Sequence, residues 1–198
     1  MKMRKAVLLL VTVILLGGLV SVSSAMTINP QIGVNASALD TDPTNGEHKA
    51  RAGWQVGGYL RFDNSKFYLE PGLFWHMVAT ELQTKDELTH EEHLFQNTVH
   101  SIQIPVMVGF NVIDGSTVDL RLQAGTAIDI ITSVDDNNYF TKDDLESTYW
   151  SFKFAAGVDF SILSVDLGYD LGMSDYFTDD TGRAGKMSGW FLNAGLRF

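Results

Sequence analysis

Charged side chains recur within strand-like segments of the sequence, where an isolated charge would be costly. Groups of opposite sign that share one interior must pair or be hydrogen-bonded. We therefore predict a buried charge network, in which Glu70 pairs with Arg61, and Asp159 or Asp166 faces Lys153 or Arg197. A structural plug is the favoured role, and a narrow pore for ions or small solutes is the alternative. The full set is Arg61, Glu70, Asp119, Arg121, Asp129, Lys153, Asp159, Asp166, Asp170 and Arg197.

A second candidate for chemistry is the stretch "HEEH", which runs from His90 to His93. Two histidines three residues apart can share a cation, and His100 is a further candidate ligand. The spacing nevertheless matches neither zincin motif. A solvated acidic loop is the simpler reading of this polar segment. His90 and His93 are therefore only weak candidates for a metal site, and no cofactor is expected.

Residues for nucleophilic catalysis are present but are not arranged in any motif. His76 lies near the end of a strand-like segment, and the serines Ser101 and Ser151 have no histidine at a meaningful spacing. Geometry must precede the assignment of a catalytic role. The expectation is that the protein is not an enzyme, with an outer-membrane lipid-modifying enzyme as the least favoured alternative.

The elements that would position these residues alternate in polarity with a period of two, which indicates β-strands. The connections between them alternate between long and short, as expected for a transmembrane barrel with short periplasmic turns and longer outer loops. The predicted fold is all-β, an eight-stranded antiparallel up-and-down transmembrane β-barrel. The eight predicted strands are 30–37, 51–62, 66–78, 98–111, 118–130, 149–161, 164–173 and 189–198.

The uncharged face of these strands carries a sorted set of aromatic residues. Tryptophans fall near the long connections and phenylalanines near the short turns. Aromatic girdles at both interfaces are typical of membrane barrels. A soluble binding barrel would not need this order, so the apolar face is predicted to contact lipid. The predicted girdles are Trp54, Trp75, Trp150 and Trp190 at one rim, and Phe62, Phe67, Phe110, Phe160 and Phe198 at the other.

The first 25 residues have the features of a cleavable signal peptide. Basic residues at positions 2, 4 and 5 precede an apolar run from Ala6 to Val20, and small residues follow at Ser23 and Ala25. The run is short for a membrane helix. The predicted domains are a signal peptide over 1–25 and an outer-membrane β-barrel over 26–198. Export through the periplasm to the outer membrane of a Gram-negative bacterium is thus expected.

The composition of the chain limits the classes of molecule that it can bind. The net charge of −10 argues against nucleic acid, because binding to phosphates needs Lys and Arg, and the chain has no cysteine. Acidic residues cluster in the long connections. Their main expected role is to keep the loops soluble. They also suit a protein partner at the outer loops, or lipopolysaccharide phosphates bridged by divalent cations. Outer-membrane lipid and lipopolysaccharide are therefore predicted partners.

Several short motifs together resemble the PorT-type outer-membrane β-barrel proteins common in Bacteroidetes. The resemblance covers essentially all of residues 30–198 and implies an eight-stranded barrel in the outer membrane. It implies little about activity, although the named member of that family acts in protein secretion. The motifs, in order, are "PQIGVNAS", "GWQVGGYLRF", "FYLEPGLFW", "IQIPVMVGFN" and the final "GLRF".

The last strand-like segment ends on Phe198, with the apolar Leu196 two residues before it. This ending resembles the signal that the barrel-assembly machinery reads, so that machinery is a predicted partner through the C-terminal strand. The predicted function is that of an integral outer-membrane protein with a structural or interaction role through acidic extracellular loops.

Overall fold

The computed structural model describes residues 26–40, 51–64, 66–85, 92–115, 117–134, 148–174 and 186–198. In this part of the chain the regular elements are eight strands. They are β1 (Met26–Asp40), β2 (Arg51–Asn64), β3 (Phe67–Lys85), β4 (Glu92–Asp114), β5 (Val118–Val134), β6 (Thr148–Phe160), β7 (Leu163–Gly172) and β8 (Lys186–Leu196). Each strand pairs antiparallel with the next, and β1 pairs with β8, which closes the barrel. The predicted eight-stranded antiparallel barrel is confirmed.

Closure joins the two ends of the described chain. The register of β1 and β8 runs from Gln31 opposite Gly195 to Asp40 opposite Lys186. Beyond this ladder, the Ile28 amide donates to the Phe198 carbonyl at 2.9 Å, and the Phe198 amide donates back at 3.0 Å. A closed ladder leaves no sheet edge within the barrel wall, as a bilayer requires.

The alternation of side chains along each strand separates a buried lumen from an exposed outer face. Strand β6 shows this throughout: Lys153 and Asp159 are buried, whereas Phe152 and Phe154, on either side of Lys153, are exposed. Successive side chains on a strand point to opposite faces, so polar and apolar residues are sorted by position alone. The charged set predicted from the sequence therefore falls on the inner face.

The barrel has two ends, here called the turn end and the loop end. At the turn end, short turns join β2 to β3, β4 to β5 and β6 to β7. In the last of these, Ser161 adopts a left-handed φ of 55°, a conformation common at tight hairpin turns. The longer connections, 41–50, 86–91, 135–147 and 175–185, all join strands at the loop end and lie outside the described residues.

Strands β3 and β4 continue past the barrel wall as a two-stranded ribbon. Pairing of β2 with β3 ends at Met77, and pairing of β4 with β5 ends at Val99. Pairing between β3 and β4 continues until Lys85 lies opposite Glu92. The predicted boundaries at 78 and 98 were therefore too short. The ribbon sequences, ATELQTK and EHLFQN, lack two-residue alternation, so a pattern search misses them.

No helix within the described residues is long and apolar enough to cross a membrane. The predicted signal peptide over 1–25 lies outside the described residues and stays a prediction.

Candidate functional site

The candidate site is the lumen, where polar side chains from all eight strands are packed. The described buried polar residues are Asn29, Gln31, Asn35, Ser37, Gln55, Arg61, Glu70, His76, Ser101, Gln103, Arg121, Gln123, Asp129, Ser151, Lys153, Asp159, Ser164, Asp166 and Asn193. An eight-stranded barrel is just wide enough for side chains to fill it. The lumen is therefore organised in layers along the barrel axis, rather than around a channel.

At the turn end, one carboxylate collects three guanidinium groups. Asp159 Oδ2 accepts from Arg61 Nη1 at 2.9 Å and from Arg197 Nη1 at 2.5 Å. Its other oxygen lies 2.8 Å from Arg121 Nη2. Asp159, Arg61 and Arg121 are almost completely buried, and Arg197 is partly exposed. Asp119 lies at the margin of this group, 3.6 Å from Arg197.

Glu70 occupies the other side of Arg61. Its Oε1 accepts from Arg61 Nε at 2.5 Å, and its Oε2 accepts from Gln123 Nε2 at 2.9 Å. The Tyr68 ring lies 4.5 Å from the Arg61 guanidinium, and the Tyr68 hydroxyl accepts from Gln123 at 3.0 Å. Charge, hydrogen bonds and a cation–π contact thus hold one guanidinium in place.

Arg121 links this group to β7. Its Nη2 lies 2.8 Å from Asp166 Oδ1 and donates to Ser164 Oγ at 2.6 Å. Gly157 makes room for it: a Cβ at that position would lie 2.6 Å from Arg121 Cζ. We call Arg61, Glu70, Arg121, Asp159, Asp166 and Arg197 the turn-end cluster. Each of its charges has a partner of opposite sign within the cluster.

On the loop-end side of the turn-end cluster lies a layer of two aromatic rings and one methionine. Tyr59, Phe74 and Met107 form a buried apolar cluster, and the rings of Tyr59 and Phe74 meet edge to face at 4.9 Å. Along β3, Phe74 lies between Glu70 and His76. We call these three apolar residues the middle layer. It separates the two polar ends of the lumen.

Beside the middle layer, amide side chains from three strands connect in a chain. Gln55 donates to Asn193 at 2.5 Å, Asn193 donates to Gln31 at 3.1 Å, and Gln31 donates to Asp166 at 2.7 Å. The chain leads back to the turn-end cluster. Neutral residues thus extend the network that the charges begin.

At the loop end, Lys153 is the central base. Its Nζ donates to Asp170 Oδ2 at 2.7 Å and to Gln103 Oε1 at 3.1 Å. It also lies 3.9 Å from the centre of the Phe191 ring. The charge of Lys153 is therefore compensated by one carboxylate. Gln103, which accepts a hydrogen bond from Lys153, donates in turn to a second acid, Asp129.

Asp129 has no lysine or arginine within ion-pair distance among the described residues. It is 1% exposed and accepts hydrogen bonds from the neutral groups Ser101 Oγ at 3.3 Å and Gln103 Nε2 at 3.1 Å. His76 Nδ1 lies 3.5 Å from Asp129 Oδ1, and neither ring nitrogen of His76 makes a hydrogen bond among the described residues. His76 therefore has no hydrogen bond among the described residues, and Asp129 accepts hydrogen bonds from neutral groups only.

A small cavity of about 10 Å³ opens beside this pair. It has room for about one water molecule. The residues lining it all come from strands near the loop end, including the first residues of β8: Ser37, His76, Gln103, Asp129, Tyr149, Ser151, Asp170, Met187, Ser188 and Gly189. None of the three residues of the middle layer lines this cavity.

The structure brings together residues that the sequence did not relate. His76 lies directly opposite Ser101 across β3 and β4, and Gln103 lies opposite Asp129 across β4 and β5. The sequence analysis found no partner for His76, because cross-strand register cannot be read from spacing along one strand. Two signals were available for His76: it occupies an inward-facing position in the alternation of β3, and it lies near the loop end of that strand.

The nine aromatic residues of the predicted girdles are all exposed on the outer face. Their exposed fractions range from 36% for Phe110 to 70% for Phe198. Phe67 and Phe110 pack together across β3 and β4, with ring centres 5.1 Å apart. The outer face is therefore apolar and aromatic around the barrel.

Only the second half of the "HEEH" stretch, Glu92 and His93, lies within the described residues. His90 lies outside the described residues, and His93 belongs to the backbone of the ribbon, where it faces Thr84. Within the described part of the chain there is no group of three or more His, Cys, Asp or Glu residues that could hold a metal ion.

Residues 23–178 match the family model described as the outer membrane protein beta-barrel domain. The chain belongs to this family. Its location is accordingly the cell outer membrane, as predicted from the alternating strands and the loop lengths. No curated protein matches the chain.

Solved structures of outer-membrane barrels share the fold. The outer membrane protein OprG from Pseudomonas aeruginosa has a TM-score of 0.55 at 11% identity, covering 88% of this chain and 96% of that one. Neisserial surface protein A (NspA) has a TM-score of 0.52 at 13% identity, covering 86% of this chain and 95% of that one. These similarities concern architecture and leave activity to be argued from the lumen.

Proposed function

We propose that the protein is a closed outer-membrane scaffold that presents its loop end, and above all the β3–β4 ribbon, to a protein partner outside the cell. The observation that carries this proposal is the filled lumen. Two polar layers and the middle layer occupy the space in which a pore would run. A barrel without a channel acts through its surfaces, and the ribbon is the largest described departure from a plain barrel.

The ribbon suits a role in recognition because it projects beyond the wall. Ala79 to Lys85 pair with Glu92 to Thr98, and no other described strand pairs with either edge there. Backbone groups at a strand edge can pair with another chain, which is a common mode of peptide recognition. The acidic loop sequences around it favour a basic partner surface.

The outer face fits the same assignment. We propose that the exposed tryptophans and phenylalanines form two girdles at the membrane interfaces, and that lipopolysaccharide contacts the acidic loops through divalent cations. We also propose that the chain falls among the PorT-type members of its family, since its motifs follow their order. These assignments place the ribbon outside the bilayer.

An enzymatic role is disfavoured by the arrangement of the nearest candidates. Ser101 donates to Asp129 rather than to His76, so no serine–histidine hydrogen bond activates a nucleophile. Ser101 is also 1% exposed within the lumen, away from any lipid substrate. A scaffold explains these residues as lumen packing.

Planar-bilayer recording tests the closed lumen. We expect no discrete conductance from the folded protein, and none from Glu70→Ala or Arg61→Ala, since the middle layer remains in both. Discrete openings in the wild-type protein would overturn the scaffold and favour a pore.

Cross-linking on intact cells tests the ribbon. The wild-type protein is compared with a variant in which an Asn-Gly turn replaces residues 82–95. Folding of both is checked by heat-modifiable mobility on gels. We expect a specific cross-linked protein that is lost in the shortened variant. Equal capture by both folded proteins would place the interaction elsewhere.

The C-terminal residue supports a separate proposal about assembly. Phe198 closes the sheet onto Ile28 by two backbone hydrogen bonds, and its side chain is 70% exposed. We propose that the barrel-assembly machinery reads this exposed terminal ring. Deleting Phe198 is expected to lower the amount of protein in the membrane more than the stability of the protein that does assemble. Normal membrane levels of the deletion variant would contradict the proposal.

A further inference from the structure

Charge compensation in the loop-end lumen is incomplete at one place. Lys153 is matched by Asp170, which leaves Asp129 with hydrogen bonds from neutral groups alone. Buried charges in proteins are paired with an opposite charge or coordinate a metal ion. A positive charge beside Asp129 would complete the pattern seen at the turn end, where each carboxylate faces a guanidinium.

The position for that charge is already outlined. His76 is 5% exposed, and both of its ring nitrogens lack a hydrogen-bond partner among the described residues. Its Nδ1 and Asp129 Oδ1 are separated by 3.5 Å. An ion at roughly 2.0–2.1 Å from both atoms, the usual distances for zinc, would subtend an angle of about 115° between them. That angle is close to tetrahedral.

Space and further donors are present at the same point. His76, Asp129 and Ser151 all line the cavity of about 10 Å³ at the loop end. The Ser151 hydroxyl is buried and also lacks a partner among the described residues. It is placed to hydrogen-bond to a water on an ion held by the other two. The middle layer lies below, so an ion that enters from outside stays at this depth.

We propose that His76 and Asp129 form a binding site for a divalent transition-metal ion of the zinc type, reached from the loop end and completed by water. Imidazole nitrogen with carboxylate oxygen suits zinc, copper and nickel, whereas calcium and magnesium take oxygen ligands. The site has two protein ligands, fewer than the three of a catalytic zinc site. It is therefore a site for reversible binding, separate from the "HEEH" stretch and independent of the scaffold role.

Isothermal titration of the chelator-treated, detergent-folded protein with zinc chloride tests the site. The test variant is His76→Gln, which keeps a polar side chain but lacks the imidazole, and the matched control is His90→Gln/His93→Gln. We expect one site in the wild-type protein, affinity reduced at least tenfold in His76→Gln, and affinity unchanged in the control. Loss of binding in the control alone, or equal binding by all three proteins, would overturn the proposal.

A second measurement avoids any change to the lumen. The chain has five histidines, so His48→Gln/His90→Gln/His93→Gln leaves only His76 and His100. Copper(II) added to this folded variant should show electron paramagnetic resonance coupling to imidazole nitrogen, and adding His100→Gln should not remove it. Absence of nitrogen coupling, or its loss with His100→Gln, would refute the assignment to His76.

Discussion

At the turn end of the lumen, Asp159 contacts three guanidinium groups, whereas at the loop end Asp129 contacts two neutral side chains and an imidazole. Both carboxylates are 1% exposed, so the difference between them lies in their partners and not in their depth. At the turn end each charge of the cluster has a partner of opposite sign, although Arg61 Nη2, Arg121 Nε and Arg121 Nη1 have no hydrogen-bond partner among the described residues. The loop end holds a polar pair and a small cavity. The comparison suggests that the turn end seals the barrel and that the loop end is where ligands are met.

The largest expected effect is at Asp159. Asp159→Asn keeps the shape but removes the charge that Arg61, Arg121 and Arg197 share, and leaves guanidinium groups buried without full compensation. Breaking a buried ion pair costs about 3–5 kcal/mol. We expect the free energy of unfolding, measured by urea titration of the protein in lipid vesicles, to fall by about that amount. A loss below about 1 kcal/mol would show that the turn-end cluster does not stabilise the barrel.

Lys153 and Asp170 form the charge pair of the loop end, and they test whether a pair there stabilises the barrel as the turn-end cluster does. Lys153→Met keeps much of the packing but leaves Asp170 unpaired, and because the Asp170 side chain is 16% exposed, water can offset part of the loss. We expect unfolding to become easier by about 1–3 kcal/mol, the usual cost of an unsatisfied buried group. In Lys153→Met/Asp170→Asn most of that loss should be recovered. Additive losses in the double variant would mean that the two residues act independently.

Arg197 gives a smaller effect within the turn-end cluster. Its side chain is 27% exposed, and Asp159 keeps Arg61 and Arg121 when it is removed. Arg197→Ala is expected to lower the free energy of unfolding by about 1 kcal/mol or less, as for a partly exposed ion pair. The difference from wild type should shrink at high salt. A salt-independent loss as large as that of Asp159→Asn would contradict the ranking.

The smallest effect is expected at Asp129, where the comparison is most direct. Asp129→Asn removes a buried charge that has no cationic neighbour other than His76 among the described residues, and keeps an acceptor for Ser101 and Gln103. We expect the free energy of unfolding without added metal to change by about 1 kcal/mol or less in either direction. A loss equal to that of Asp159→Asn would remove the distinction between the two ends.

Much of the fold follows from two features of the sequence, and the fine structure of the lumen does not. Two-residue alternation and the order of loop lengths define the strands, the inner face and the barrel. They assign Asp129 and His76 to the inside but cannot say that the two meet. Their relative height depends on the β3–β4 and β4–β5 registers, and the second contains a shift between Asn111 and Ile113, on the turn side of Gln103. A bulge of this kind has no signature in the alternation.

The neutral part of the lumen escaped the sequence analysis for a different reason. A search for ion pairs passes over Gln31, Gln55, Gln103 and Asn193 because they carry no charge. Nevertheless, Gln103 hydrogen-bonds to Lys153 at the loop end, and the other three form the chain that leads to Asp166 at the turn end. Their inward parity was visible in the strands. The ribbon was missed because its ends are set by backbone pairing between β3 and β4, and not by a change in the polarity of the sequence.

The position of Asp159 has a consequence for the order of folding. Its partners Arg61 and Arg197 come from near the start and the end of the barrel sequence, and Arg61 is 98 residues away along the chain. Contacts between distant residues form late, since the intervening chain must be closed into a loop first. The last guanidinium reaches Asp159 only when the final residues of the chain are in place. The contact between Arg197 and Asp159 is therefore one of the last in the cluster to form, and its formation coincides with closure of the barrel by its final strand.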